Sequence, residues 1–377
     1  MYIAELDRPW TDTPFMFQGF VLSTEQQLDT LKRYCTTVFV DLERSESPAT
    51  AKRGQATYVE KASVEQEMAP ARVAYSGGST LMQEIFAAVG VGRTLDAERV
   101  KAAVTALTES VLRNPEALLL FSQLRQKDDY SVSHSLDVAV YMLAFGRFLQ
   151  LEPGQIEFLG YLGLLQDIGK VRLSQELLQK RERLSVEEFE RAKLHVNYSV
   201  EILRATPGLP RDLPRLAALH HERHDGSGYP RNLRGAEIGM IGSIAAIVDT
   251  FDALTVRRPY AAPIAPSAAL NMLYKWRGVF FDASLVEQFI RCIGIFPVGS
   301  LVEMNSGEVG VVIAQNLAKR LQPRVMVIRD AAGNPTRPHK LLDLSREPKA
   351  AADEPYRIRR TLEYGRVAVS SEELFMK

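Results

Sequence analysis

The spacing of apolar positions divides the chain into three regions. Up to residue 75, the short apolar runs YIAEL, PFMFQGFVLS and TTVFVDLE surround one amphipathic stretch, TEQQLDTLKRY, which predicts three strands and a helix. From Thr80 to about Phe296, apolar residues return every three or four positions and predict long helices. After Pro297 the runs SLVEM, VGVVIAQN and RVMVIRD are separated by turn sequences and predict a small β-meander. The fold is therefore expected to be mainly α.

Polar stretches set the predicted limits of these regions. The segment from Arg44 to Gly78 contains Ser, Pro and a Gly-Gly pair and predicts a linker, while SREPKAAADEPYR predicts a mobile loop before a last strand in RVAVS. We therefore divide the chain into a small α/β module at 1–75, an all-α domain at 76–296 and a small β-rich extension at 297–377. The strands of the flanking regions carry no ligand cluster, which leaves docking or homodimerisation as their simplest roles.

The composition is that of a globular protein without a strong overall charge. Lys plus Arg and Asp plus Glu both number 46, and the resulting net charge of zero argues against a nucleic acid polymer as partner. Two cysteines, Cys35 and Cys292, are too few for a disulfide framework or a zinc ribbon and favour a reducing cytoplasm. A basic leader and an apolar run of about 20 residues are both missing, so we expect neither export nor a membrane span.

Two histidines of the helical region are predicted to point inward. His134 lies on the apolar stripe of segment 131–150, in register with Phe145. His195 lies on the stripe of segment 185–204, which opens with a capping box. Because imidazole is polar, each ring needs a hydrogen-bond partner or a metal ion in the interior.

An aspartate ends the apolar run LLQDIGK. At the end of such a helix, Asp167 faces the negative end of the helix dipole and loses its hydration, so it needs a compensating partner. Gly169 allows the helix to end, and Lys170 follows directly. Asp249 raises the same problem within IAAIVDTF, because an unpaired acid is costly among apolar neighbours.

Six side chains of the helical region form a candidate metal site. Apart from the adjacent His220 and His221, successive members are separated by 25 to 33 residues, about one helix plus one loop, so neighbouring helices could bring them to a common centre. A set of imidazoles and carboxylates without thiolate suits iron, manganese, zinc or nickel, and two such ions are the usual apparatus for phosphodiester hydrolysis. A single inward histidine is more often a hydrogen-bonded core residue, but that explanation would have to apply to every member. The six are His134, Asp167, His195, His220, His221 and Asp249.

Two further stretches could contact a ligand. In HDGSGYP, the glycines on both sides of Ser227 and the following proline predict a tight loop that can bring backbone N–H groups close to a ligand. In DTFDALTVRRPY, Asp252 shares a helix face with Asp249. Arg257 or Arg258 could bind a phosphate through two hydrogen bonds, and a solvated arginine pair is the alternative.

The segments QDIGK, HHERHDGSGYP and DTFDALTVRRPY, in this order, resemble the HD-GYP family of cyclic di-GMP phosphodiesterases over about residues 125 to 293. The opening LDRPWTDTPFMFQGF resembles the module that often precedes these domains. The resemblance implies a multi-helix HD-type metal hydrolase core and an enzyme that opens cyclic di-GMP to linear pGpG or to GMP in bacterial second-messenger signalling, which governs biofilm formation and motility. It also implies two divalent ions, iron or manganese in the first place and zinc or nickel as alternatives.

The resemblance implies roles for individual residues. The six candidate ligands would hold the metal, with Asp167 bridging two ions and Lys170 assisting at the phosphate. The loop ending in GYP is associated with substrate shaping and with contacts to protein partners. The substrate-side residues would be Lys170, Gly228, Tyr229, Pro230, Asp252, Arg258 and Tyr260.

Three positions depart from the family pattern. Gln166 stands where the family has a histidine, and its amide is a poorer ligand for a transition metal, so one ion should bind more weakly. Tyr130 replaces a carboxylate that supports a third ion in some members, and His224, which we interpret as a solvated loop residue, replaces a common tryptophan. The sequence thus leaves open an active cyclic di-GMP phosphodiesterase, a weakly active or inactive receptor or scaffold, and a more general nucleotide hydrolase.

Overall fold

The structure is a computed structural model that describes residues 2–6, 20–22, 25–41, 58–124, 130–256, 263–316 and 319–362. The chain forms two compact units, Met1–Gln55 and Ala56–Lys377.

The amino-terminal unit contains a three-stranded antiparallel sheet with β1 in its centre. Helix α1 follows the short strand β2 and precedes β3, as the alternation of apolar runs predicted. Buried side chains of the other three elements form a small core, against which Val38 of β3 packs: Ile3, Leu6, Phe20 and Leu31. The elements are β1 (Tyr2–Leu6), β2 (Phe20–Val21), α1 (Glu25–Tyr34) and β3 (Val38–Asp41).

The second unit begins with the predicted helical region. Within the described ranges, none of its helices is both long and apolar enough to cross a bilayer. Two short 3-10 helices, Ile168–Arg172 and Gly235–Glu237, interrupt the series. The α-helices are α2 (Val64–Gly90), α3 (Ala97–Arg113), α4 (Pro115–Leu124), α5 (Tyr130–Phe148), α6 (Pro153–Leu165), α7 (Gln175–Gln179), α8 (Val186–Arg204), α9 (Leu213–Ala217), α10 (Gly239–Thr255), α11 (Pro266–Trp276) and α12 (Ala283–Ile293).

Helix α5 lies at the centre of the helical core. Its apolar positions are buried from Val132 to Phe145, which confirms the predicted inward stripe. The ring of Phe145 packs edge-on against Phe289, and Tyr141 packs in the same way against Phe251, each pair with centroids 5.2 Å apart. The helix that carries His134 is therefore held by α10 and α12 and presents its polar residues to a packed interior.

Helix α2 corrects the predicted linker. The described part of that linker becomes helical at Val64, and the Gly-Gly pair lies inside the helix; residues 44–57 lie outside the described ranges. Apolar residues at helical spacing outweigh the low helix propensity of glycine, and Gly78 lies directly against Leu136. The predicted boundary at residue 75 therefore falls within a continuous helix, and the compact units divide at Gln55 instead. The boundary at 296 stays a prediction.

A five-stranded antiparallel sheet follows the helices, in the order β7-β6-β5-β4-β8. One face of β5 packs on the helical core through Val311 and Ile313, and the other face buries Val312 in a second apolar cluster. The predicted meander is thus confirmed for its first three strands. The two edge strands were missed because their sequences, PTRPHKLLD and IRRT, are mostly polar and exposed, and the predicted strand RVAVS lies outside the described residues. The strands are β4 (Leu301–Met304), β5 (Val309–Ala314), β6 (Arg324–Arg329), β7 (Pro335–Asp343) and β8 (Ile358–Thr361).

Candidate metal centre

All six predicted ligands converge in the helical core. Helix α5 carries His134, the end of α6 leads to Asp167, helix α8 carries His195, and α10 carries Asp249. The histidine pair follows directly after α9. The side chains fall into two groups, each with one potential ligand atom per residue and all these atoms within 4.8 Å of one another. The groups are Asp167, His195, His220 and His221, and His134, Asp167 and Asp249, so that Asp167 belongs to both.

A close contact between two backbones brings His195 to Asp167. A Cβ atom on Gly169 would lie 2.1 Å from the carbonyl oxygen of His195 and 2.4 Å from the amide nitrogen of Ser199. The Gly169 N–H donates a hydrogen bond of 2.8 Å to Ser199 Oγ. Gly169 therefore does more than end a helix, because only a residue without a side chain lets α8 approach this closely.

Two histidines direct their Nε2 atoms at Asp167. His195 Nδ1 donates to the carbonyl oxygen of Ala192 at 2.7 Å, and His220 Nδ1 donates to that of Ala217 at 2.6 Å. Burial lowers the pKa of His195, so the neutral ring is favoured and its Nε2 carries a lone pair. The Nε2 atoms of His195 and His220 lie 3.4 Å apart, and they lie 3.2 and 3.5 Å from Asp167 Oδ1.

This arrangement fits a metal ion. Within the described residues, Asp167 Oδ1 is buried and has no hydrogen-bond partner. Lone pairs that face one another and a carboxylate oxygen repel, unless a cation lies among them. The backbone carbonyls that hold the Nδ1 atoms are the outer partners that metal-binding histidines ordinarily have. The donor set of this group therefore matches a nitrogen- and oxygen-liganded divalent ion.

His134 is held in place by a buried aspartate. Its Nδ1 lies 2.7 Å from Asp252 Oδ2, while its Nε2 lies 3.1 Å from both Asp167 Oδ2 and Asp249 Oδ1. Asp252 accepts the proton on Nδ1. The Nε2 atom can therefore lie this close to two carboxylates only if it carries a second proton or if it shares a cation with them. Asp252 itself is fully buried. The predicted assignment of Asp252 to the substrate side is therefore corrected, because the residue lies behind His134 and orients it.

Gln166 lies on the same side as His134. Its Nε2 donates a hydrogen bond of 3.2 Å to Asp249 Oδ1, and its Oε1 is buried without a hydrogen-bond partner among the described residues. The Gln166 amide thus donates a hydrogen bond to Asp249, a carboxylate that would bind a metal ion in the second group. Gln166 is 1% exposed, so water cannot easily take over either role.

The charges of the cluster favour ionised aspartates. Burial alone would raise the pKa of Asp167, but the positive charge of Lys170, foremost, outweighs it and holds the pKa well below its usual range. The Lys170 Nζ atom lies 2.6 Å from Asp167 Oδ2. Burial likewise opposes ionisation of Asp249, and the neighbouring His134 and His221 lower its pKa. Carboxylates in this state are ready to bind cations.

The GYP loop supports the cluster through its backbone. A Cβ on Gly228 would lie 2.3 Å from the amide nitrogen of Arg223, so the loop packs tightly on the histidine pair. The Tyr229 N–H donates to the carbonyl oxygen of His221, and the two rings stack with centroids 4.7 Å apart. The fully buried Glu222 accepts hydrogen bonds from two amides beyond the loop, at Arg231 and Leu233. Close packing, rather than free amides for a ligand, explains the need for Gly228.

A pocket of about 400 Å³ opens beside His221. The GYP loop, with Tyr229, forms part of its lining. Six aromatic and cationic side chains form another part, and none of these six was singled out from the sequence. Their helical spacing gave no signal, because aromatic residues at such spacing are ordinarily core. They are Phe189, Lys193, Arg223, Trp276, Phe280 and Phe281.

Three other sequence-based expectations have different outcomes. Arg258 and Tyr260 lie outside the described residues. His224 is absent from both ligand groups of the described chain, and the residue is half-buried in its loop, with its Nδ1 atom shielded from solvent. Its backbone N–H donates to the carbonyl oxygen of Phe280. Pro230 follows Tyr229 through a cis peptide bond.

Three family models match the chain. An HD domain matches residues 118–285, which include every member of the metal cluster. A domain of unknown function, DUF3391, matches residues 1–100, and a KOW domain associated with HD domains matches residues 301–355.

Curated relatives match over the whole chain or over its helical part. A cyclic di-GMP phosphodiesterase of Pseudomonas aeruginosa is 30% identical over 92% of this chain and 86% of its own length. A cyclic di-GMP phosphodiesterase of Thermotoga maritima is 38% identical over 34% of this chain and 35% of its own. A 3'3'-cGAMP-specific phosphodiesterase of Vibrio cholerae is 36% identical over 45% of this chain and 37% of its own. With this relationship along nearly its full length and an HD domain around the metal cluster, the chain belongs to the HD-GYP family.

Proposed function

We propose that this protein is a metal-dependent phosphodiesterase that hydrolyses cyclic di-GMP to linear pGpG, to GMP or to both, in bacterial second-messenger signalling. The observation that carries the proposal is the convergence of the Nε2 atoms of His195 and His220 on the buried Oδ1 atom of Asp167, which has no hydrogen-bond partner among the described residues. Relatives with this activity by name support the choice of substrate.

Two divalent ions would be held by the two groups that share Asp167. The three histidines after α7 would supply nitrogen ligands to one ion, and His134 and Asp249 would serve the other. Iron or manganese suits the donor set best, and zinc or nickel is the alternative. When bound, such ions supply Lewis-acid activation of water and of the phosphodiester.

Lys170 would act on the phosphate. Its ammonium lies 2.6 Å from Asp167 Oδ2 and its side chain is still 19% exposed, so it reaches both the cluster and solvent. A cation at this place can neutralise charge on the phosphate oxygens or assist the departing oxygen. In the same proposal Arg258 and Tyr260 contact the substrate, and the GYP loop also offers a surface to protein partners.

Hydrolysis by anaerobically purified, manganese-loaded protein tests the proposal. We expect turnover of cyclic di-GMP in the wild type and a loss of about 1,000-fold or more in Asp167→Ala, because both ligand groups lose their shared carboxylate. Elemental analysis of both proteins should show the loss of bound metal. Unchanged turnover in Asp167→Ala would contradict the mechanism.

A second candidate function is a cyclic di-GMP receptor or scaffold of low activity. The hydrogen bond from Gln166 to Asp249 favours it, since an amide satisfies a carboxylate that could otherwise bind the second ion. Two equivalents of metal with turnover support the enzyme. One equivalent or none, with cyclic di-GMP bound but not hydrolysed, supports the receptor.

The setting of this activity is also proposed. We place the protein in the cytoplasm, and its two described cysteines are free thiols. Homodimerisation and a role in biofilm formation and motility remain predictions.

A further inference from the structure

The pocket beside the metal centre has one wall built from two rings and a cation. Phe189 meets Tyr229 edge to face with ring centroids 6.1 Å apart. The Lys193 Nζ atom lies 4.8 Å from the centre of the Phe189 ring and 5.4 Å from that of Tyr229. Since Tyr229 also stacks on His221, this wall is continuous with the metal cluster.

Three further aromatic side chains line the pocket. Trp276 lies 6.3 Å from Phe280 and 6.4 Å from Phe281, measured between ring centroids. The guanidinium of Arg223 lies 5.0 Å from the centre of the Phe281 ring. A pocket of about 400 Å³ that is lined by several aromatic rings suits a planar ligand such as a nucleobase.

The two cations of the pocket differ in their hydrogen bonds. Arg223 donates to the carbonyl oxygens of His220 and Glu222 and to Thr250 Oγ1, so it is engaged in holding the histidine segment. Lys193 donates to Glu190 Oε1, and that carboxylate belongs to a side chain that is 61% exposed. An exposed ion pair of this kind is weak and is readily exchanged for a ligand atom. Lys193 is therefore the cation that can turn to a bound base.

We propose that this pocket binds one guanine base of the substrate, with Phe189 and Tyr229 as an aromatic wall and Lys193 as the residue that selects guanine over adenine. The inference rests on the proposed function and adds base specificity to it. Guanine presents the acceptors O6 and N7 side by side, which a lysine ammonium can bind. Adenine presents an amino group at the position of O6, and that donor would oppose the ammonium.

Binding of slowly hydrolysed phosphorothioate analogues of cyclic di-GMP and cyclic di-AMP to the manganese-loaded protein tests the inference. In Lys193→Met, which keeps the aliphatic stem and loses the charge, affinity for the guanine analogue should fall about tenfold and affinity for the adenine analogue less than about twofold. Lys193→Arg should retain the preference for guanine. Arg191→Met removes an exposed charge from the same helix outside the pocket and should change neither affinity.

A second variant tests the wall and guards against a folding defect. Phe189→Leu keeps an apolar side chain at a position that is 46% exposed, so unfolding is not expected. The affinity for both analogues should fall by about fivefold or more because stacking on the ring is lost. Equal weakening of both analogues in Lys193→Met would show that Lys193 binds phosphate and would overturn the inference. Unchanged binding in Lys193→Met would do the same.

The inference and the proposed function fail in different ways. A wild type that prefers the guanine analogue but never hydrolyses cyclic di-GMP would contradict the enzyme and leave the guanine pocket standing. A wild type that hydrolyses cyclic di-GMP and cyclic di-AMP with equal kcat/KM would contradict the guanine pocket and leave the phosphodiesterase standing.

Discussion

Two buried carboxylates of the helical core have opposite electrostatic surroundings. Asp167 is 2% exposed and its pKa is held well below the usual range, whereas Glu116 is 9% exposed and its pKa is raised to about 7. Burial pushes both pKa values upward. At Asp167, the positive charge of Lys170 is foremost in reversing that effect. A single backbone amide, from Gln315, offsets it only in part at Glu116.

The difference separates a functional acid from a structural one. Glu116, at the start of α4, accepts a hydrogen bond from the backbone N–H of Gln315, the residue after β5, and this bond links the helices to the sheet. Nearby Glu60 raises the pKa of Glu116 further, and Arg324 and Arg147 lower it less. The two carboxylate oxygens of Asp167 are instead surrounded by imidazole nitrogens and by the positive charge of Lys170. Such an accumulation is costly for stability alone and is explained by cation binding.

A second contrast lies within the Asp167 region. On the side of His195 and His220, backbone carbonyls take the ring protons and the lone pairs remain without a donor. On the other side, Asp249 already accepts a hydrogen bond from Gln166. We therefore expect the first side to bind its ion more tightly.

Removal of a histidine from the tighter side should have the largest effect. His220→Gln takes away one converging nitrogen, so metal affinity and cyclic di-GMP turnover should each fall more than about 100-fold, beyond what an outer partner usually costs. Elemental analysis and single-turnover rates measure both quantities. The same substitution at His339, in the sheet, should leave them unchanged. Equal metal content in the two variants would contradict the assignment of His220 as a ligand.

Loss of the carboxylate behind His134 should have a smaller effect. Asp252→Asn removes the charge that orients His134, so affinity for the second ion should fall about 10- to 100-fold while the first ion stays bound. Titration with manganese monitored by calorimetry separates the two events. Loss of the first ion instead would show that the two sides are not distinct.

A gain is expected from restoring an imidazole. Gln166→His replaces the amide that donates to Asp249 with a nitrogen ligand, so affinity for the weaker ion should rise about tenfold and turnover should rise with it. Gln179→His, on the exposed helix α7, is the control for an added histidine. No gain in metal content or rate in Gln166→His would mean that the glutamine does not impair the site.

The smallest effect on activity concerns Glu116. Its folded pKa of about 7 lies above its ordinary value of 4.5, so the folded protein binds an extra proton between these values, and the resulting stability is lost as the pH rises towards 7. Glu116→Gln removes this loss and should be more stable than the wild type above pH 7, by on the order of 3 kcal/mol at most. Urea denaturation from pH 5 to 8 measures it.

Glu182→Gln, which removes an exposed carboxylate, is the control for that comparison. Metal content should remain that of the wild type in both glutamate variants. An unchanged pH profile in Glu116→Gln would show that a cation compensates Glu116 as it does Asp167, and the contrast between the two acids would disappear.

The six candidate ligands could be chosen from the sequence because ligand chemistry depends on residue type. Histidines and aspartates on apolar stripes are costly anywhere in a core, so His134, His195 and Asp249 drew attention without any knowledge of their neighbours. Their separation by one helix and one loop was enough to predict a shared centre. The type of fold followed from the same periodicity.

The partners of these side chains depended on packing instead. Helical spacing placed Asp252 beside Asp249, but only the approach of α10 to α5 turns Asp252 to the far side of His134. Helix α2 likewise extends through a Gly-Gly pair because Gly78 meets Leu136, a contact between residues far apart in the chain.

Sequence alone therefore indicated which candidate ligand residues the chain contains and in what order its helices and strands follow one another, since both follow from residue types and local periodicity. The tertiary structure established which atoms face one another: the lone pairs at Asp167, the amide of Gln166 on Asp249, and Lys193 above two aromatic rings. These contacts join residues from separate helices, and no local pattern encodes the distance between them.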